Sequence, residues 1–129
     1  MELTSEHKRF IESLDSRLAN EPLNADDAAE ICEHELLRDP ERIIALNKEL
    51  RQLKAHWTTE DTEPTTWPDD SFIIGDSGYG DYYCVSRTGA FTGIVAYEHE
   101  MAAFTPFAAS FDDYYELMMR DFRKRVDRY

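Results

Sequence analysis

The chain has 129 residues, with 27 acids against 14 bases, a net charge of −13 and a pI near 4.6. That length fits one domain with an ordinary core, and the 42% apolar and 12% aromatic content argues for a packed globule over a disordered tail. A field of this sign repels nucleic-acid phosphates and anionic membranes and attracts a basic protein, and no apolar run approaches the roughly 20 residues of a membrane span.

Phe10, Ile11, Leu14 and Leu18 recur at helical spacing and predict a first helix over residues 5–19, stopped by Asn20 and Pro22. Asn24 is placed to cap a second helix, with Asp26 and Asp27 in its first turn near the positive end of the dipole. The apolar stripe of that helix is Ala28, Ile31, Cys32 and Leu36. Asp39-Pro40 reads as an N-cap followed by proline at the first helical position, where a missing N–H costs nothing. The third helix carries Ile43, Leu46, Leu50, Leu53 and Trp57 at 3-4-3-4 spacing. This stripe spans about two heptads, fewer than a coiled coil normally needs, so it is read as a core-facing stripe.

Residues 58–70, TTEDTEPTTWPDD, hold five acids, no base and two prolines, and are expected to form an acidic hinge without regular structure. Trp67 within it either tucks into a core or stands partly exposed as an anchor for a partner. Four antiparallel strands are expected next, over residues 71–75, 81–86, 91–97 and 103–107. A last helix opens on Ser110 with Asp113 three residues on, and Phe111, Tyr115, Met118, Phe122 and Val126 line one face. The fold class is therefore α+β: an antiparallel sheet preceded by three helices and followed by one. The whole reads as a single domain, with a helical front (1–57), the acidic hinge (58–70), and the sheet plus C-terminal helix (71–129).

Charge is distributed unevenly. Between Thr66 and Glu116 nine acids face Arg87 alone, whereas the tail from Leu117 holds five bases and two acids. Cys32 and Cys84 form no CxxC pair and read as reduced, buried thiols. The opening MELTSEHKRF lacks the apolar centre of a signal peptide, so a cytoplasmic location is expected.

Signals for chemistry fail on inspection. Gly75-Asp76-Ser77-Gly78-Tyr79-Gly80 lacks the Gly-Lys-Ser/Thr of a phosphate loop and leads into a strand, so a tight turn with glycines at positive φ explains it better. His34-Glu35 and His99-Glu100 lack the second histidine of a zinc protease, since Arg38 and Ala103 stand in its place; His99 reads as a surface residue at a strand end. Asp69, Asp70, Asp76 and Asp81 lack calcium-loop spacing, and no nucleophile motif is present. Neither a cofactor nor enzymatic activity is expected.

One stretch carries a resemblance. Ile74-Gly75-Asp76, Gly80-Asp81-Tyr82-Tyr83, Val95-Ala96-Tyr97-Glu98-His99 and Ala108-Ala109-Ser110-Phe111, in that order, resemble the C-terminal half of the SUKH superfamily, the Smi/Knr-type domains. It covers residues 72–118; the front half shows none of the family's usual leucine-proline, tyrosine and phenylalanine-leucine signals before Trp57. The resemblance implies a bacterial immunity protein that neutralises a cognate toxin by stoichiometric binding, most plausibly a basic nuclease. Candidate contacts are Asp69, Asp70, Asp76 and Asp81, pairing with lysines or arginines of the toxin, and Tyr79 as an aromatic anchor. Two other readings stand beside it: a regulatory scaffold for host signalling or export-machinery proteins, and a small enzyme using the acidic turn as a metal site.

Overall fold

The computed structural model describes residues 1–57 and 63–127. Three helices come first: α1 (Ser5–Ala19), α2 (Ala25–Ile31) and α3 (Pro40–Gln52). Each begins where a side chain accepts an otherwise orphaned backbone N–H: Thr4 from His7, Asn24 from Asp27, and Asp39 from Glu41. Strands β1 (Lys54–Ala55) and β2 (Thr65–Thr66) pair as a small ribbon. Strands β3 (Ser71–Asp76), β4 (Tyr82–Ser86), β5 (Ile94–Glu98) and β6 (Ala103–Ala108) form an antiparallel meander in chain order, and α4 (Phe111–Val126) closes the fold with Ser110 as its cap. The α+β architecture matches the expectation, including the start and end of α1.

Period-two alternation divides the apolar residues between the two faces of the sheet. Phe72, Ile74, Val85 and Ile94 turn toward α1 and α4 and join Phe10, Leu14, Tyr114, Met118 and Phe122 in the larger core. Ile73, Cys84 and Tyr97 turn the other way, into a nest with Leu50, Trp57 and Trp67. Trp67 is buried, edge-on to Trp57, Tyr82, Tyr97 and Phe104, and its indole N–H donates to the Ser71 carbonyl at 2.7 Å. Of its two readings, the core one is correct.

Strand β3 lies at an edge of the sheet, yet its outward backbone groups are occupied. The buried Asn47 of α3 accepts from Ile73 N at 2.8 Å and donates to Ile73 O at 3.0 Å, imitating a neighbouring strand. Asp76 N donates to the His34 carbonyl at 2.8 Å. The register shifts between Ile73 and Gly75, where residues 34 and 35 press against the strand. A Cβ at Gly75 would lie 2.6 Å from the Glu35 carbonyl and would also collide with the Tyr114 hydroxyl that donates to it, so only glycine fits. At the opposite edge, β6 carries Pro106, which offers no N–H to a stray strand.

Several boundaries differ from expectation. Helix α2 ends at Ile31, and Leu36 reaches the core through a turn in which its N–H donates to the Ile31 carbonyl at 2.9 Å. Helix α3 ends at Gln52, so Leu53 is half exposed and Trp57 enters the second core from a non-helical segment. Thr65–Thr66 pairs with Lys54–Ala55, where no regular structure was expected in the acidic segment, while residues 58–62 lie outside the described residues. Strand β5 starts at Ile94 instead of residue 91, after Gly93 at φ 72°. Helix α4 buries Tyr114 and Met119 besides Tyr115, Met118 and Phe122 of the expected stripe, while Phe111 and Val126 are half-buried.

Candidate functional site

The five sequence-predicted contact residues fall at the two ends of β3. Asp69 and Asp70 precede the strand, whereas Asp76, Tyr79 and Asp81 lie at its far end and on the turn into β4. Six residues at about 3.3 Å each separate Asp70 from Asp76 by roughly 20 Å. The four aspartates therefore do not converge on one oxygen-rich site.

Their carboxylates differ in what they are already doing. Asp70 is occupied through both oxygens: Oδ2 accepts from Ser86 Oγ at 2.6 Å, and Oδ1 from Thr88 N at 2.9 Å and Thr88 Oγ1 at 2.7 Å. The Ser86 and Thr88 hydrogen bonds hold its pKa below the ordinary carboxylate range. It ties the start of β3 to the end of β4. Asp69 is largely exposed and lies 3.4 Å from Arg51 Nε and 3.5 Å from Arg87 Nη1.

At the other end, a braced turn presents one aromatic ring. Asp76 Oδ1 accepts from Gly78 N at 2.8 Å and from His34 Nδ1 at 2.7 Å. Asp81 Oδ1 accepts from His99 N at 2.9 Å and His99 Nδ1 at 2.5 Å. An ionised carboxylate only accepts, so both histidines carry their proton on Nδ1. Ser77 Oγ accepts from Tyr79 N at 3.1 Å and Asp81 N at 3.3 Å, closing the loop from inside. Gly78 and Gly80 adopt φ of 80° and 102°, the positive angles expected of this turn. Each aspartate spends one oxygen on the brace; the Asp81 side chain stays partly exposed, whereas that of Asp76 is largely buried. Tyr79 stands at the apex, 78% exposed, and its hydroxyl has no hydrogen-bond partner among the described residues.

Sequence reasoning missed what surrounds Tyr79. Grooves lie on either side of it, both walled by the last turns of α4. One, of about 540 Å³, runs between Tyr79, Asn24, Asp27 and Glu30 of the α2 region, and Phe122, Arg125 and Val126. The other, of about 320 Å³, is lined by Glu35, Ser77, Tyr83, Met118, Asp121 and Lys124 among others. Burial, with Asp81 and Glu35 nearby, pushes the Tyr83 hydroxyl up to about 12, so it stays protonated. The signal for α2 was present: Asp27 and Glu30 are three residues apart, beside the inward stripe of Ala28 and Ile31.

Two cations of the basic tail are paired within the fold. Arg123 pairs with Glu21, and Arg125 Nη2 lies 2.5 Å from Glu35 Oε1. Asp26, Asp27, Glu30 and Glu33, by contrast, have side chains with no ion pair among the described residues.

No paired nucleophile and base appears among the described residues. Neither His34 nor His99 makes a hydrogen bond through Nε2. Both cysteines are buried, and burial pushes their thiols upward, away from the reactive thiolate. No three His, Cys, Asp or Glu side chains come together as a metal-holding group among the described residues, and no described helix is long and apolar enough to cross a membrane. The arrangement is suited to holding a surface: a rigid turn, an exposed aromatic ring and unspent carboxylates.

No curated protein and no solved structure matches the chain significantly. A family match does exist, and it reaches back through the front helices that carried no legible family signal. Residues 3–117 match the SMI1 / KNR4 family (SUKH-1), and the chain belongs to that family.

Proposed function

We propose that this chain is an immunity-type protein that neutralises a cognate protein toxin, a basic nuclease, by one-to-one occlusion without chemical turnover. The observation that carries the reading is membership of the SUKH-1 family over residues 3–117, a family consistent with toxin immunity. The net charge of −13 supports a basic partner, since it raises the encounter rate with a cationic surface. Tyr79 supplies buried area at low entropic cost because its turn is already fixed. Asp81 stands behind it with the carboxylate oxygen not used in the brace, and Asp69 contributes from the other end of β3, whereas Asp70 is spent on Ser86 and Thr88 and Asp76 is largely buried. That separation lies within the span of one standard interface of about 800 Å² per partner.

The reading is tested by capturing partners on this chain in its native host and reconstituting the pair. One basic polypeptide retained in near-equal amount, whose toxicity the chain suppresses on co-expression, is the expected result. Tyr79→Ala should then weaken the complex by about 2 kcal/mol, roughly thirtyfold, without unfolding the protein, because the ring has no packing role. Asp76→Lys would be a poorer probe, since it also removes the His34 brace. Recovery of host signalling or export components alone would replace immunity with scaffolding.

A further inference from the structure

We propose that the groove between Tyr79, α2 and the end of α4 is a socket for an arginine side chain presented by a partner protein. The inference deepens the immunity reading and rests on it for the identity of the partner.

The groove has an apolar floor and an acidic rim. Tyr79 and Val126 offer surface to an aliphatic stem above the buried Phe122, while Asp27 and Glu30 stand at the edge. An arginine suits both parts: its methylenes bury against apolar surface, its planar head stacks on an aromatic face, and its donors match carboxylates. A lysine would satisfy the charge but forgo the stacking and the two-pronged hydrogen bonding.

Charge complementarity excludes other occupants. Among the described residues Arg125 is the only cation lining this groove, and it is committed to Glu35 at 2.5 Å with its guanidinium 5.1 Å from the Phe122 ring centre. Arg123 is likewise held by Glu21. What remains at the rim is two carboxylates with no ion pair among the described residues, which repel an anion and leave a neutral group without compensation for their desolvation. The floor is also preformed: Phe122 is packed in the core, and Tyr79 rides on a turn braced by both aspartate–histidine contacts. An incoming side chain therefore orders little of this protein.

A blocked tetra-arginine peptide serves as the probe, followed by backbone amide shifts in NMR. The shifts should concentrate at Asp27, Glu30, Tyr79 and Val126, and a tetra-lysine peptide should bind several-fold more weakly. Asp27→Asn with Glu30→Gln should reduce tetra-arginine affinity at least tenfold. Glu12→Gln with Glu41→Gln removes the same charge from outside the groove and should change it less than threefold. Tyr79→Ala gives an independent readout by abolishing the preference for arginine over lysine. Shifts spread over the whole acidic surface, or equal losses in the two double variants, would overturn the socket. The immunity reading fails separately: if the chain suppresses a toxin and the groove variants suppress it as well, the socket is wrong and immunity stands. If peptide binding localises as expected but no toxin is suppressed, the socket stands and immunity does not.

Discussion

His7 shows how one residue couples packing to pH. It is fully buried in the first turn of α1, stacked on Phe111 at 5.6 Å and edge-on to Phe72 at 5.9 Å, and neither ring nitrogen has a hydrogen-bond partner. Burial lowers its pKa to about 4, so the native state holds it neutral. Because the unfolded chain takes up this proton near its ordinary 6.5, the stability from His7 is present above that value and is lost as pH falls toward 4. The loss between pH 7 and pH 5 should be about 2 kcal/mol by denaturant titration. His7→Phe should flatten that slope; an equal slope in the variant would place the acid sensitivity elsewhere. Asn47 is a second residue whose role depends on burial. Asn47→Ala would leave both the N–H and the carbonyl of Ile73 unpaired, and should cost about 3 kcal/mol in equilibrium unfolding. A cost below about 1 kcal/mol would mean that another group replaces the amide.

At the scale of elements, the caps and periodicities were readable because they are local. Thr4, Asn24, Asp39 and Ser110 act within three residues of themselves, and four strands and four principal helices follow from them. The failures occur where a distant element intervenes. Helix α3 stops at Gln52 although its apolar stripe continues, because Trp57 gains more by joining Trp67 and Tyr97 in the second core. Thr65–Thr66 becomes a strand only because Lys54–Ala55 lies beside it. The role of Gly75 was likewise hidden. Its turn position suggests backbone freedom, yet what it provides is space for the Glu35 carbonyl and Tyr114.

For the whole molecule, charge governs encounter. The net charge of −13 is long-range and screened, whereas Tyr79 and its grooves are short-range. With a basic partner, raising ionic strength from about 50 to about 500 mM should slow association at least tenfold, while dissociation changes far less. Stopped-flow measurement of both rates checks this, and a salt-independent on-rate would deny the field any steering role. The internal pairs Arg123–Glu21 and Arg125–Glu35 strengthen the contrast, since they tie up two cations of α4, whereas the α2 acids have no ion pair among the described residues.

The sequence by itself determined the α+β class, the helix starts, the meander, the positive-φ glycine turn and the family resemblance of residues 72–118. All of these rest on neighbours along the chain or on the alternation of one strand. The tertiary structure alone decided that the candidate aspartates split between two ends of β3, that Asp70 is spent on Ser86 and Thr88, and that Tyr79 faces Asp27 and Glu30. It also decided which charges remain available, because Arg125 and Glu35 stand 90 residues apart and cancel only once folded. The physical reason is range: capping and periodicity act over three or four residues, whereas a binding groove is made by segments that meet only when the core closes.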